Sequence, residues 1–190
     1  GVKYYETDQT QFTVFNLTHG QTYAFKVKAR DFAGNESSFS NQASAQALLN
    51  GLYYKYYTFT GTWNSLPDFN TLDPVATGLV PNITLENRTQ SDNFAYLWEG
   101  FITIPVTGSY TFRTNSDDGS KLYLSAYSYN ATALVDNDGL HGGQNRDGTI
   151  TLNAGAYPIA ISYYEQGGGE SMTVSWKTPE SGGNFVPIPN

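Results

Sequence analysis

The chain has no cysteine, one methionine, two histidines and no long apolar run. Without cysteine there is no disulfide, no thiolate metal site and no cysteine nucleophile. A small secreted protein from an oxidising eukaryotic compartment usually carries disulfides; a cytosolic protein, or a bacterial surface protein built on a large β core, needs none. His19 and His141 are too few for the usual zinc or facial-triad sites. No apolar stretch approaches the roughly 20 residues that span a bilayer, and no signal peptide opens the chain.

Charge is scarce as well. Asp, Glu, Lys and Arg make up 14% of 190 residues, with a net charge of -7. The chain has no Lys/Arg excess to displace counterions from a phosphate backbone, which argues against nucleic acid, and none is expected as a partner. Adsorption to an anionic membrane surface is disfavoured for the same reason. An acidic surface suits divalent cations and neutral ligands. What the chain does have is 15 tyrosines, 11 phenylalanines and 19 glycines, the mark of strands separated by turns. The class is all-β. The chain begins in mid-pattern, which predicts a piece of something longer.

Residues 1–47 read as four strands, Val2–Glu6, Phe12–Phe15, Thr22–Arg30 and Ser37–Ala45. In the third, Tyr23, Phe25, Val27 and Ala29 share a face. Leu17, Gly20 and Tyr23 have the spacing of a tyrosine corner. With Ala29-Arg-Asp31, Ala33-Gly-Asn-Glu-Ser37 and Ser40-Asn41, the stretch resembles the C-terminal half of a fibronectin type III domain, an immunoglobulin-like sandwich. His19 stands where many members have proline. Half a sandwich leaves an apolar face bare, so a truncated domain is expected, completed upstream or by a neighbour.

Residues 48–50 form a junction, and the texture changes at 51. Period-2 apolar runs follow: Phe94, Tyr96, Trp98, Ile102 and Ile104; Tyr110 and Phe112; Tyr157, Ile159, Ile161 and Tyr163; Met172, Val174 and Trp176. They predict a sandwich or barrel of roughly ten strands over 51–190. Trp98 and Trp176 fall on the apolar faces and are expected in the core. No stretch reads as a helix.

Three loops carry the oxygen-rich chemistry. Asp117-Asp118-Gly119 admits two readings: a tight hairpin turn between Thr111–Thr114 and Lys121–Leu124, or a paired-carboxylate calcium site. Glu165-Gln-Gly-Gly-Gly-Glu170 is either a flexible hairpin tip or a second binding loop, whose glycines let backbone approach an ion. It is no phosphate loop, since no Lys-Ser/Thr follows. Asp136-Asn-Asp-Gly139 begins like an EF-hand, but Leu140 and His141 break the pattern and it reads as a turn. His141 is a candidate for a pocket rim. Tyr127 and Tyr129 are either exposed ligand contacts or packed rings with satisfied hydroxyls. Trp63 is open in the same way. The Asn-X-Thr sequences at Asn82, Asn87 and Asn130 are expected by chance in an Asn-rich chain.

Several of these segments occur in one order: Gly51-Leu-Tyr-Tyr54, Phe94…Trp98-Glu-Gly-Phe101, Ile104-Pro-Val-Thr-Gly-Ser-Tyr-Thr-Phe112, Ser116-Asp-Asp-Gly-Ser-Lys-Leu122, Asp136-Asn-Asp-Gly-Leu-His141, Leu152-Asn-Ala-Gly155, Tyr163-Tyr-Glu165 and Val174-Ser-Trp176. In that order they resemble the PA14 family over about residues 51–189. The resemblance implies a β-sandwich or barrel of the kind found in bacterial toxins, glycosidases, flocculins and adhesins, with carbohydrate as a frequent ligand and no catalysis by the domain itself. It also implies a cis Asp117–Asp118 peptide, calcium held by Asp117 and Asp118, and further ligands from the late loop: Gln166, with Gly167 and Gly168. The expected protein is a calcium-dependent, lectin-like module of an extracellular or cell-surface bacterial protein. Its partners would be a glycan and the neighbouring domains of a longer chain. A structural adhesin domain and an accessory module of a glycoside hydrolase are the alternatives.

Overall fold

A computed structural model describes residues 4–7, 14, 21–46 and 51–189. They belong to two compact units, Gly1–Leu49 and Asn50–Asn190.

In the first unit β1 (Thr22–Phe25) pairs antiparallel with β2 (Ala43–Gln46). Both strands are shorter than Thr22–Arg30 and Ser37–Ala45, and the reason is chemical. Beyond β1 the partner groups are partly side chains: Val27 N–H donates to Ser40 Oγ (3.1 Å) and Ala29 N–H to Ser37 Oγ (2.9 Å). Serine hydroxyls that compete for backbone donors break the regular ladder. The Asp31–Asn35 turn is closed by Asp31, which accepts from Asn35 N and Nδ2, both at 2.8 Å. Tyr4–Glu6 lie in no strand. Val14 of the second expected strand also lies in no strand; the other residues of the first two expected strands, with Leu17 and Gly20 of the tyrosine corner, lie outside the described residues.

The second unit has ten strands among the described residues: β3 (Leu52–Thr58), β4 (Ala76–Val80), β5 (Phe94–Ile104), β6 (Gly108–Asp117), β7 (Ser120–Tyr123), β8 (Val135–Asn137), β9 (Gln144–Leu152), β10 (Gly155–Glu165), β11 (Ser171–Lys177) and β12 (Val186–Pro187). They make a six-stranded sheet, β4-β3-β5-β10-β7-β8, and a four-stranded sheet, β12-β11-β6-β9. The expected alternation places Tyr96, Trp98, Ile104, Ile161 and Tyr163 of the first sheet against Tyr110, Phe112, Met172 and Trp176 of the second in one core. Two sheets sharing such a core are a β-sandwich.

The outer faces of the two sheets differ. On the four-stranded sheet the outer face is polar: Arg113 holds Asp147 through Nε (2.7 Å) and a terminal nitrogen (2.9 Å), and Asn115 donates to Asn145 (2.9 Å). On the six-stranded sheet, Ala95, Leu97, Tyr57 and Tyr164 are covered by Leu66 and Phe69 of the long β3–β4 connection. β5 is therefore buried on both faces from Phe94 to Trp98.

The chain enters this unit at Gly51, whose φ is +113° and which lies so close to Val80 that a Cβ would sit 2.3 Å from the Val80 carbonyl oxygen. Near its exit, Asn82 donates to the Ile188 carbonyl (3.0 Å). Entry and exit thus share the Val80–Asn82 corner.

Candidate functional site

Asp117-Asp118-Gly119 is no hairpin. β6 belongs to the four-stranded sheet and β7 to the six-stranded one, so the segment crosses from sheet to sheet. The late loop does the same between β10 and β11, and residues 138–143 do so between β8 and β9. These three crossovers leave the sandwich at one end, tied by the pairs Ser171↔Asp117, Tyr163↔Ser120 and Ser120↔Asn137.

The inward face of β6 changes character as it reaches this end. Phe112 is followed inward by Thr114 and then Ser116, all fully buried. Ser116 Oγ lies 2.8 Å from Ser120 Oγ and accepts from Asn137 Nδ2 (3.0 Å); Asn137 Oδ1 accepts from Gln144 Nε2 (2.8 Å). A buried polar network of this kind is stable when its members are paired, and it floors the acidic site.

Above it stand Asp117, Asp118 and Glu165, with ligand oxygens all within 4.8 Å of one another. The Asp117–Asp118 peptide is cis. Asp118 is buried and joins the three crossovers: Oδ1 accepts from His141 N (2.9 Å) and Oδ2 from Gln166 N (3.0 Å). Glu165, fully buried, accepts from Gly167 N at Oε1 (2.7 Å) and from the Tyr163 hydroxyl at Oε2 (3.1 Å). The single Tyr163 hydroxyl hydrogen is shared with the Asp117 carbonyl, 2.6 Å away. The Asp117 carboxylate has no hydrogen-bond partner among the described residues. A Cβ added at Gly142 or Gly169 would lie 3.9 or 3.8 Å from its Oδ2, so both loops approach it with bare backbone.

Three converging carboxylates repel. Burial first, and the charge of Asp118 next, push the Glu165 carboxyl up to about 7, with a smaller push from Asp117, against the lowering effect of the Tyr163 and Gly167 hydrogen bonds. Burial and the neighbouring Glu165 push the Tyr163 phenol well above its ordinary range. A divalent cation would relieve that repulsion. Two oxygens on one calcium, each at 2.3–2.6 Å, are separated by at most about 5 Å, so a 4.8 Å cluster of hard oxygen donors fits it.

The other expected site residues are placed as follows. The Gln166 side chain is engaged elsewhere: Oε1 accepts from Trp63 N (2.5 Å), and Nε2 donates to Asn93 Oδ1 (2.8 Å) and the Gly61 carbonyl (3.3 Å). Gln166 reaches the carboxylates through its backbone N–H, while its side-chain amide, expected among the ligands, is turned to Trp63, Asn93 and Gly61. Gly167 uses its N–H on Glu165; Gly168, with φ +111°, has its N–H 3.4 Å from Asp92 Oδ1. Tyr127 is a packed ring. It meets Phe69 and Tyr123 edge-on, and its hydroxyl accepts from Phe69 N (3.2 Å) and donates to the Pro67 carbonyl (3.3 Å). The ring nitrogens of His141 lie 2.9 and 3.0 Å from the Gly142 and Asn137 carbonyls, so its bond to Asp118 is through the backbone. Trp63 stacks on Phe59, ring centres 3.7 Å apart. Asp138 is structural, accepting from Leu66 N and Gly139 N (2.8 Å each) and pairing with Lys121 (3.1 Å).

Sequence reasoning left out Glu165. The signal was present: Ile159, Ile161, Tyr163 and Glu165 run at period 2, which puts a carboxylate on the inward face of a strand.

A family model for the PA14 domain matches residues 44–187. The chain belongs to the PA14 family. Solved structures agree on the fold. The PA14 domain of the MpAFP antifreeze protein superposes with a TM-score of 0.61 at 17% identity, over 79% of this chain and 93% of that one. The epithelial adhesin 6 A domain of Candida glabrata, in complex with Galβ1-3GlcNAc, gives 0.55 at 22%, over 76% and 86%. A PA14 sugar-binding domain from an RTX adhesin gives 0.53 at 19%, over 73% and 94%. The chain also spans 46% of an anti-sigma factor domain-containing protein with a similar part. No curated protein matches. No described helix is long and apolar enough to cross a membrane.

Proposed function

We propose that this PA14 unit is a non-catalytic, calcium-dependent carbohydrate-binding module, carried by a secreted or cell-surface bacterial protein and acting in adhesion or glycan targeting. The observation that carries the reading is the convergence of Asp117, Asp118 and Glu165 at the crossover end, with the Asp117 carboxylate unpaired. Asp117, Asp118 and Glu165 would hold calcium, which supplies open coordination positions to vicinal sugar hydroxyls. The chain's own part is to fix the carboxylates through His141 N, Gln166 N, Gly167 N and Tyr163, and to keep Gly142 and Gly169 clear of the opening. Two relatives of this fold, an adhesin domain solved with a disaccharide and an adhesin's sugar-binding domain, support the ligand class.

We infer further that residues 1–47 are part of a fibronectin type III domain, with 48–50 as the junction; the antiparallel pairing of β1 with β2 is the observation that supports it.

The test is calorimetry with calcium followed by a glycan array. Binding of the ion at millimolar concentration or below, and array binding that chelation abolishes, are expected. No heat at millimolar calcium would reduce the acidic cluster to a structural clasp, and array binding indifferent to Asp117→Asn would remove it from recognition.

A further inference from the structure

The site leaves one residue without a part. Gln166 touches the carboxylates with its backbone alone, yet its side-chain amide makes three contacts, to Trp63 N, the Gly61 carbonyl and Asn93 Oδ1. Three glycines follow it, and Gly168 adopts φ +111°. A glycine run has no side chains to fix its path. The N–H groups of Gln166 and Gly167, which hold Asp118 and Glu165, therefore depend on anchors outside the run. The far anchor is the ion pair of Arg88 with Glu170. The near anchor is the Gln166 amide.

Its attachment point is well built. Asn93 adopts φ +56°, a region that asparagine tolerates better than most residues. Its carbonyl accepts from Phe59 N (3.0 Å) and Gln90 Nε2 (2.7 Å), and its side chain is left to receive Gln166. We propose that Gln166 is a positioning residue of the cation site: through Asn93 and the Gly61–Trp63 segment its side chain fixes the late loop, and so sets how tightly Asp118 and Glu165 hold the ion. The proposal rests on the calcium reading above. Partners that orient the ligands of a metal site are worth roughly 10–100-fold in affinity when removed.

The experiment compares the full chain with Gln166→Met, Asn93→Gly and the double variant. Glycine accepts the φ of Asn93, so Asn93→Gly removes the amide and keeps the backbone path. Calcium titration is expected to show each single variant binding about 10-fold more weakly, and the double variant no weaker than either, as coupled residues behave in a cycle. Hydrogen exchange is expected to show calcium slowing the Trp63 amide in the natural chain and not in Gln166→Met. Unchanged affinity in both single variants overturns the proposal and leaves the calcium site standing. So does a loss confined to Gln166→Met, which marks a direct ligand, or losses that simply add. A natural chain that binds no calcium overturns the site and the proposal together.

Discussion

Asp118 and Glu165 each accept two hydrogen bonds, and Asp117 accepts none through its carboxylate. Removing the Asp117 charge therefore takes no hydrogen bond from the fold, while it relieves repulsion on Glu165. Asp117→Asn is expected to melt at or slightly above the natural temperature in chelator, and to lose the calcium-dependent rise. The stabilisation behind that rise is about 2.7 kcal/mol when the ion is at 100 times its dissociation constant; differential scanning calorimetry with and without calcium checks both halves. Glu165 gives a pH dependence of defined sign. Its carboxyl is held at about 7 in the fold against an ordinary value of 4.5, so between those values the folded state keeps a proton that the unfolded chain has released. Its contribution is fully present below about pH 4.5 and lost as pH rises through 7, up to about 3 kcal/mol. In chelator the melting temperature should fall from pH 5 to 7.5, and calcium should restore more at pH 7.5 than at 5. A melting temperature that rises over that range would contradict the placement of Glu165.

Among the elements, the crossovers carry the tightest demands. At Gly119 a Cβ would meet the Tyr164 ring at 2.5 Å and Gly139 N at 2.9 Å. Gly119→Ala must push two crossovers apart, and a loss of roughly 1–3 kcal/mol by denaturant titration is expected. Tyr127→Phe deletes both hydrogen bonds from its hydroxyl to the β3–β4 connection; a loss of about 1–2 kcal/mol is expected, with calcium affinity unchanged. The strands of the second unit were legible in the sequence because period-2 patterning is a local signal: Tyr96, Trp98, Ile161 and Tyr163 face the core as their spacing implies. The crossovers were not. Asp-Gly between two strand-like runs is the same local signal whether the runs pair with each other or join different sheets, and that choice is made by pairing with β9, β10 and β11 far along the chain. The adjacency of Asp117 and Asp118 was readable, and the direction of the Gln166 side chain was not, for one reason. Adjacent acids declare themselves, whereas a side chain's direction depends on Trp63 and Asn93, which no spacing connects to it.

For the whole molecule, the two-sheet core rests on large aromatic rings. Trp98 is fully buried, stacked on Tyr96 with ring centres 4.7 Å apart. Trp98→Ala is expected to cost roughly 3–5 kcal/mol, a large share of the 5–15 kcal/mol that holds a domain together, and circular dichroism melting will show whether the fold survives it. The Val80–Asn82 corner has a mechanical consequence. Leu52, next to Gly51, pairs with Gly100 of β5, while Glu165 pairs with Phe94; at the rise of a strand these lie about 20 Å apart. Entry and exit of the unit thus share one end and the carboxylates occupy the other. A pull applied at the entry and exit of this unit would load the β3–β4 corner and leave the carboxylate end outside the path of the force.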